Sequence, residues 1–66
     1  MTEAEYQFEI LRILTQYFSS RKKALEVYKS PHLFFRDYTG LKRSMEEVVE
    51  MGNGEEVMNF LDMVLL

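Results

Sequence analysis

Few residues in this chain are of a type that does chemistry. His32 is the single histidine, and there is no cysteine. Disulfides, thiolate metal sites and multi-histidine metal sites are therefore excluded. A histidine acting as a general base needs a partner that orients it. None lies near His32 in sequence, so it reads as an exposed residue in the first turn of a helix. Two carboxylate pairs, Glu46-Glu47 and Glu55-Glu56, have the residue type for acid–base work. Both fall where a helix would begin, and a helix N-terminus favours negative charge without any catalytic role. The four serines, Ser19, Ser20, Ser30 and Ser44, all stand at caps or loops. No nucleophile–base arrangement emerges, so the chain reads as non-enzymatic, with no metal and no cofactor.

Gly52-Asn53-Gly54 admits four readings. A phosphate loop needs a preceding strand and either a third glycine or a Gly-Lys-Ser/Thr close. Asn-Gly between strands would be a hairpin turn, but both flanks have helical period. In a DNA-reading helix-turn-helix the second helix enters the major groove. Here that helix carries Glu55, Glu56 and Asp62 and no base, so phosphates would repel it. What remains is a joint, in which Gly52 stops one helix and Asn53 caps the next.

Charge is unevenly spread. Residues 1–20 carry one basic and three acidic groups, residues 21–43 seven basic and two acidic, and residues 44–66 six acidic and no basic. The segments thus stand at −2, +5 and −6, and the whole at −3. Such a division suggests electrostatic complementarity within the chain, between copies or with a partner. Arg21, Lys22 and Lys23 fall in the first turn of a short helix, where the dipole disfavours cations. They read as a solvated face or as a patch for an acidic partner. Phe34, Phe35 and Tyr38 interleave with Arg36, Lys42 and Arg43, a pattern that can stack bases. The acidic C-terminal third weighs against nucleic acid.

The elements positioning these groups read as helices. Thr2-Glu3-Ala4-Glu5 is a capping box, followed by Tyr6, Ile10, Ile13, Leu14 and Tyr17 at helical spacing over residues 3–18. Ser20 caps a short helix with Ala24, Leu25 and Tyr28 inward. Ser30-Pro31 suits another helix start, with Leu33-Phe34-Phe35 as one turn and residues 37–40 as a closing loop. Ser44-Met45-Glu46-Glu47 and Asn53-Gly54-Glu55-Glu56 read as further capping boxes, the last helix running over residues 54–65. The expected fold is all-α: one domain, residues 1–66, a small bundle of four or five short helices.

A domain of 66 residues buries only about 60% of its unfolded surface. An apolar fraction of 47% is then more than the interior can hold, so a homodimer is expected. The acidic start MTEAEYQ is no secretory leader. Met63–Leu66, the longest apolar run, is far short of a membrane span. A cytoplasmic location is expected.

Phe18-Ser19-Ser20-Arg21-Lys22-Lys23-Ala24-Leu25, then Ser30-Pro31, then Gly40-Leu41-Lys42-Arg43-Ser44-Met45-Glu46-Glu47-Val48, and a Gly52-Asn53-Gly54-Glu55-Glu56-Val57 close with Leu61 next, form an ordered series. From Phe18 to Leu65 it resembles the toxin-binding domain of Xre/MbcA/ParS-type antitoxins. Val27-Tyr28 stands where that family usually has Trp, and Ser44 where it usually has Pro. The resemblance implies a helical protein-binding module that neutralises a toxin enzyme by direct binding. A phage-type inhibitor or adaptor of a host protein is the alternative. The expected partner surface combines Arg21, Lys22 and Lys23 with the aromatics Phe34, Phe35 and Tyr38 and the apolar end at Met63, Leu65 and Leu66. Leu33, Phe34 and Phe35 are consecutive and cannot all point inward, so at least one ring should lie in water.

Overall fold

The computed structural model describes residues 1–65, which form four helices and one hairpin. Leu66 lies outside the described residues. Helix α1 (Glu3–Phe18) opens with the expected box: Glu5 N–H donates to Thr2 Oγ1 at 3.2 Å, and Thr2 N–H donates to Glu5 Oε1 at 2.8 Å. It ends at Ser19, a non-glycine at φ 54°. The chain then reverses at once into α2 (Arg21–Lys29), where Ser20 Oγ accepts from Lys23 N–H at 3.1 Å. Ile10, Leu11 and Leu14 of α1 meet Ala24 and Tyr28 of α2 in the core.

The next segment corrects the all-α expectation. Residues Pro31–Arg36 form a strand, β1, antiparallel to β2 (Lys42–Ser44). Proline is tolerated as the first residue of a strand because no ladder N–H is asked of it there. Aromatic residues favour the pleated surface. Tyr38-Thr39-Gly40 is the loop between the strands: Asp37 N–H donates to Leu41 O, and Gly40 N–H to Asp37 O, both at 3.0 Å. Pro31 pairs with Ser44 and His32 with Arg43, but Arg36 pairs with Lys42, so residues 33–35 bulge out of register. The bulge turns Phe35 into the core at 2% exposure and leaves Phe34 48% exposed.

Ser44 is the last residue of β2 and also the N-cap of α3 (Met45–Glu50), where its capping box with Glu47 has both bonds at 3.1 Å. α3 closes as the glycine joint predicts. Gly52 stands at φ +87°, its N–H donating to Val49 O, and Asn53 N–H donates to Val48 O, both at 3.0 Å. This pair of bonds is a Schellman motif, and it needs the left-handed residue that glycine supplies. The third expected capping box does not form. Asn53 offers Glu56 its backbone carbonyl at 3.0 Å, and its own N–H is already given to Val48, leaving nothing for a glutamate to reach back to.

Helix α4 (Gly54–Leu65) runs alongside α1 in the same direction. At its start a Cβ on Gly54 would lie 2.9 Å from Tyr6 Cβ and closer still to ring atoms Cγ and Cδ2. At its end Leu65 shares a hollow with Ile13, Gln16 and Tyr17. Val57 and Leu61 of α4, Met45, Val48 and Val49 of α3, and Phe35 complete the core. The fold is mainly helical, with the hairpin packed on α3.

The two joint glycines are required for different reasons. A Cβ added at Gly52 would meet no atom within 4 Å, so only its backbone conformation matters; Gly54 sits in a helix, so only space matters. Gly52→Val is expected to destabilise by more than about 1 kcal/mol. Gly54→Ala is expected to cost about 1–3 kcal/mol despite alanine's better helix propensity. Urea denaturation of each, alone and with Tyr6→Leu, checks both: Gly54→Ala should be partly relieved by Tyr6→Leu, and Gly52→Val should not.

Candidate functional site

Beside the C-terminal ends of α1 and α4 lies a groove of about 190 Å³. Buried Leu14, Met45 and Leu61 form its floor, Phe18, Val27, Phe60 and Leu65 its walls, and exposed Tyr17 and Val64 its rim. His32 is its one polar side chain apart from the Tyr17 hydroxyl. Instead of an exposed first-turn residue, His32 is half-buried in an aromatic cluster, with ring centroids 5.9 Å from Phe35 and 5.1 Å from Phe60. Phe34 N–H donates to His32 Nδ1 at 3.0 Å. The neutral imidazole therefore carries its proton on Nε2, a single donor in apolar surroundings.

Phe34 stacks on Phe60 with centroids 4.5 Å apart, extending the apolar face from the groove onto the hairpin. The structure thus brings together Phe34 and Leu65 of the expected surface, with exposed Met63 on the same last turn of α4. Phe35 is removed from that surface: the bulge places it inside, against Phe60 at 5.2 Å. Tyr38 is fully exposed at the hairpin tip and lines a separate hollow with Arg43 and Met51. Leu66 lies outside the described residues.

The three adjacent cations diverge, since neighbours on a helix are about 100° apart. Arg21 lines a hollow of about 300 Å³ with Phe8, Leu11 and Arg12. Lys23 stands one turn before Val27, on the face that borders the groove. Among the described residues none of Arg21, Lys22 and Lys23 has a carboxylate within ion-pair distance. Because α2 starts where α1 ends, these cations share one end of the molecule with the groove. Glu3, Glu50, Glu55 and Glu56 stand at the other end, around the start of α1 and the α3–α4 joint. That field reaches Tyr28, whose phenol is pushed up to about 12 by burial and then by Glu46, Glu50 and Glu3.

Arg43, which the sequence groups with the base-stacking cations, is committed elsewhere. Its Nη1 donates to Glu47 at 3.1 Å and its Nη2 to Asp37 at 3.2 Å, tying the hairpin loop to α3. Asp37 also accepts from the Thr39 hydroxyl and from the amides of Thr39 and Leu41. Among the described residues no three of His, Cys, Asp and Glu converge as a metal-holding group, and no helix is long and apolar enough to cross a membrane.

Sequence reasoning misses Phe60 and Tyr17 as groove-lining groups, having read Tyr17 as part of the inward stripe of α1. Their signal is the breadth of the stripe on α1 and α4, more than one packed neighbour can cover.

Two pH effects follow. The Thr39 hydroxyl, chiefly, holds Asp37 below the ordinary carboxylate range, and the Ser44 amide, then Arg43, does the same for Glu47. The unfolded chain therefore takes up these protons first. Their stabilisation is full above about pH 4 and is lost as pH falls through that range toward the depressed values. Arg43→Gln is expected to flatten the fall in urea midpoint between about pH 6 and pH 3. For Tyr28 the sign is the opposite: stability is full below about pH 10 and is lost as pH rises through about 12. Tyr28→Phe is expected to remove that alkaline loss, followed by phenolate absorbance and circular dichroism together.

No protein-family model, curated protein or solved structure matches this chain.

Proposed function

We propose that the chain is a non-enzymatic protein-binding domain that docks through the groove beside the ends of α1 and α4. The observation that carries this is the groove itself. It is a concavity with a core-residue floor and an aromatic extension through Phe34 and Phe60, and Lys23, one turn along α2 from its Val27 wall, has no ion-pair partner among the described residues. An exposed apolar patch with a polar rim marks interaction surfaces. Apolar anchors entering pockets dominate binding energy, while rim charges set partner choice. The partner we infer is an acidic protein that presents an apolar side chain to the groove.

Catalysis has little support in the geometry. His32 spends Nδ1 on a backbone amide, and its ring neighbours are phenylalanines rather than a carboxylate. The antitoxin resemblance is compatible with this surface and makes a toxin enzyme our preferred partner.

Val64 is 58% exposed at the rim, so Val64→Glu leaves the core intact while placing a charge at the groove mouth. Proteins captured by the wild-type chain and lost by Val64→Glu are purified and the pair reconstituted. The expected result is at least about tenfold weaker binding by Val64→Glu, or about 1.4 kcal/mol. Equal affinity of both chains for the reconstituted partner would remove the groove as the docking site.

A further inference from the structure

The outward face of α1 carries a ridge between two hollows of opposite charge. Glu5, Phe8, Arg12 and Gln16 recur every three or four residues and so share one stripe of the helix. That stripe faces away from Ile10 and Leu14, which enter the core. Phe8, 68% exposed, is the ridge, since it walls both hollows. On its C-terminal side the hollow of about 300 Å³ is floored by Leu11 and lined by Arg12 and Arg21 and, among the described residues, by no carboxylate. On its N-terminal side a hollow of about 320 Å³ is lined by Glu5 and Glu9 and, among the described residues, by no lysine or arginine. The Met1 α-amino group offsets part of that negative charge. Glu9 is already paired with Arg12 at 2.8 Å. Glu5 and Arg21 have no ion-pair partner among the described residues, and they line different hollows.

We propose that this face pairs with the same face of a second copy, α1 against α1 in antiparallel order, about a two-fold axis that passes between Phe8 and Arg12. Turning one copy end for end lays its acidic hollow toward the basic hollow of the other. Each Phe8 then enters the basic hollow of the second copy, over Leu11, and Glu5, one turn earlier, reaches Arg21. The contact is isologous: what one copy gives the other returns, so each charge contact forms twice and assembly closes at two copies. A parallel pairing would instead set Glu5 on Glu5 and Arg12 on Arg12, like against like. Leu14 and Tyr17, through which α1 lines the groove, lie on the far side of the helix, so this surface is separate from the groove.

Sedimentation of the purified chain over rising concentration tests this. The average mass is expected to rise and level at two copies, and dimerisation to weaken between about 0.05 and 0.5 M salt as the screening length shortens. Phe8→Gln removes the ridge at an exposed position and is expected to weaken dimerisation at least about tenfold. Glu5 and Arg21 give the sharper test, because within one copy they line different hollows. Glu5→Lys sets cation against cation twice in its own dimer, and Arg21→Glu sets carboxylate against carboxylate twice. Each alone is expected to dimerise at least about tenfold more weakly. Mixed, the two are expected to regain the dimer, since both contacts then join opposite charges. A glutamate suits the first turn of α2, so Arg21→Glu should melt no lower than wild type, and its loss of dimer is no loss of fold. Glu5→Lys gives up the bond to Thr2, so circular dichroism checks its helix content. A chain monomeric at every concentration up to about 1 mM overturns the proposal. So does growth past two copies, a dimer indifferent to Phe8→Gln or to Arg21→Glu, or a mixture of the folded charge variants that pairs no better than either alone. Val64→Glu is expected to leave the dimer unchanged; a dimer that it abolishes would sit at the groove and overturns the pairing through α1.

Discussion

The contact between Gly54 and the Tyr6 ring sets the geometry of everything that faces water. It allows α1 and α4 their closest approach at their N-terminal ends, where no Cβ stands between them. At the other ends the facing residues are Tyr17, Phe18, Val64 and Leu65, all large. The groove lies beside that end, where side chains of α1, α2, α3, α4 and the hairpin meet, and its floor is the core itself, since Leu14 and Leu61 are both buried.

The hairpin supplies one side of that groove through His32. Two strands alone are marginal in water, and these two are interrupted by a bulge. Arg43 joins their loop to α3 through Asp37 and Glu47. Exposed ion pairs contribute little singly, but here the same carboxylates also cap a loop and a helix, so each bond restrains an element already held by others. The bulge then delivers Phe35 inward and Phe34 onto Phe60, and the aromatic face on the hairpin continues the one on α4.

Much of the helical framework is legible in the sequence because caps are local. Thr2, Ser20 and Ser44 each bond an amide three residues on, and Gly52 closes a turn within five residues. The hairpin is not, although Tyr38-Thr39-Gly40 between two short runs is a three-residue hairpin loop in form. Ser30-Pro31 carries an equally good helix-start signal, and only tertiary burial of Phe35 decides between them. Of the expected surface, Phe34 follows from the argument that a crowded apolar run must spill outward. The same argument does not say which of Phe34 and Phe35 spills, since a bulge reverses the alternation of a strand. Nor does spacing show that Arg21 lines a hollow with Phe8 and Leu11, or that Arg43 is already engaged.

Ser44 serves β2 with one side of its backbone and α3 with its hydroxyl, and nothing separates the two elements. Strand and helix therefore have no hinge between them. A fluctuation that frees the hairpin must also release the cap on α3, and with it the amides of Ser44 and Glu47. Two short strands of little intrinsic lifetime thereby acquire that of a helix seated in the core. Residues 31–50 are therefore expected to open as one cooperative unit, the exposed hairpin and the buried α3 exchanging their amide hydrogens at a common rate.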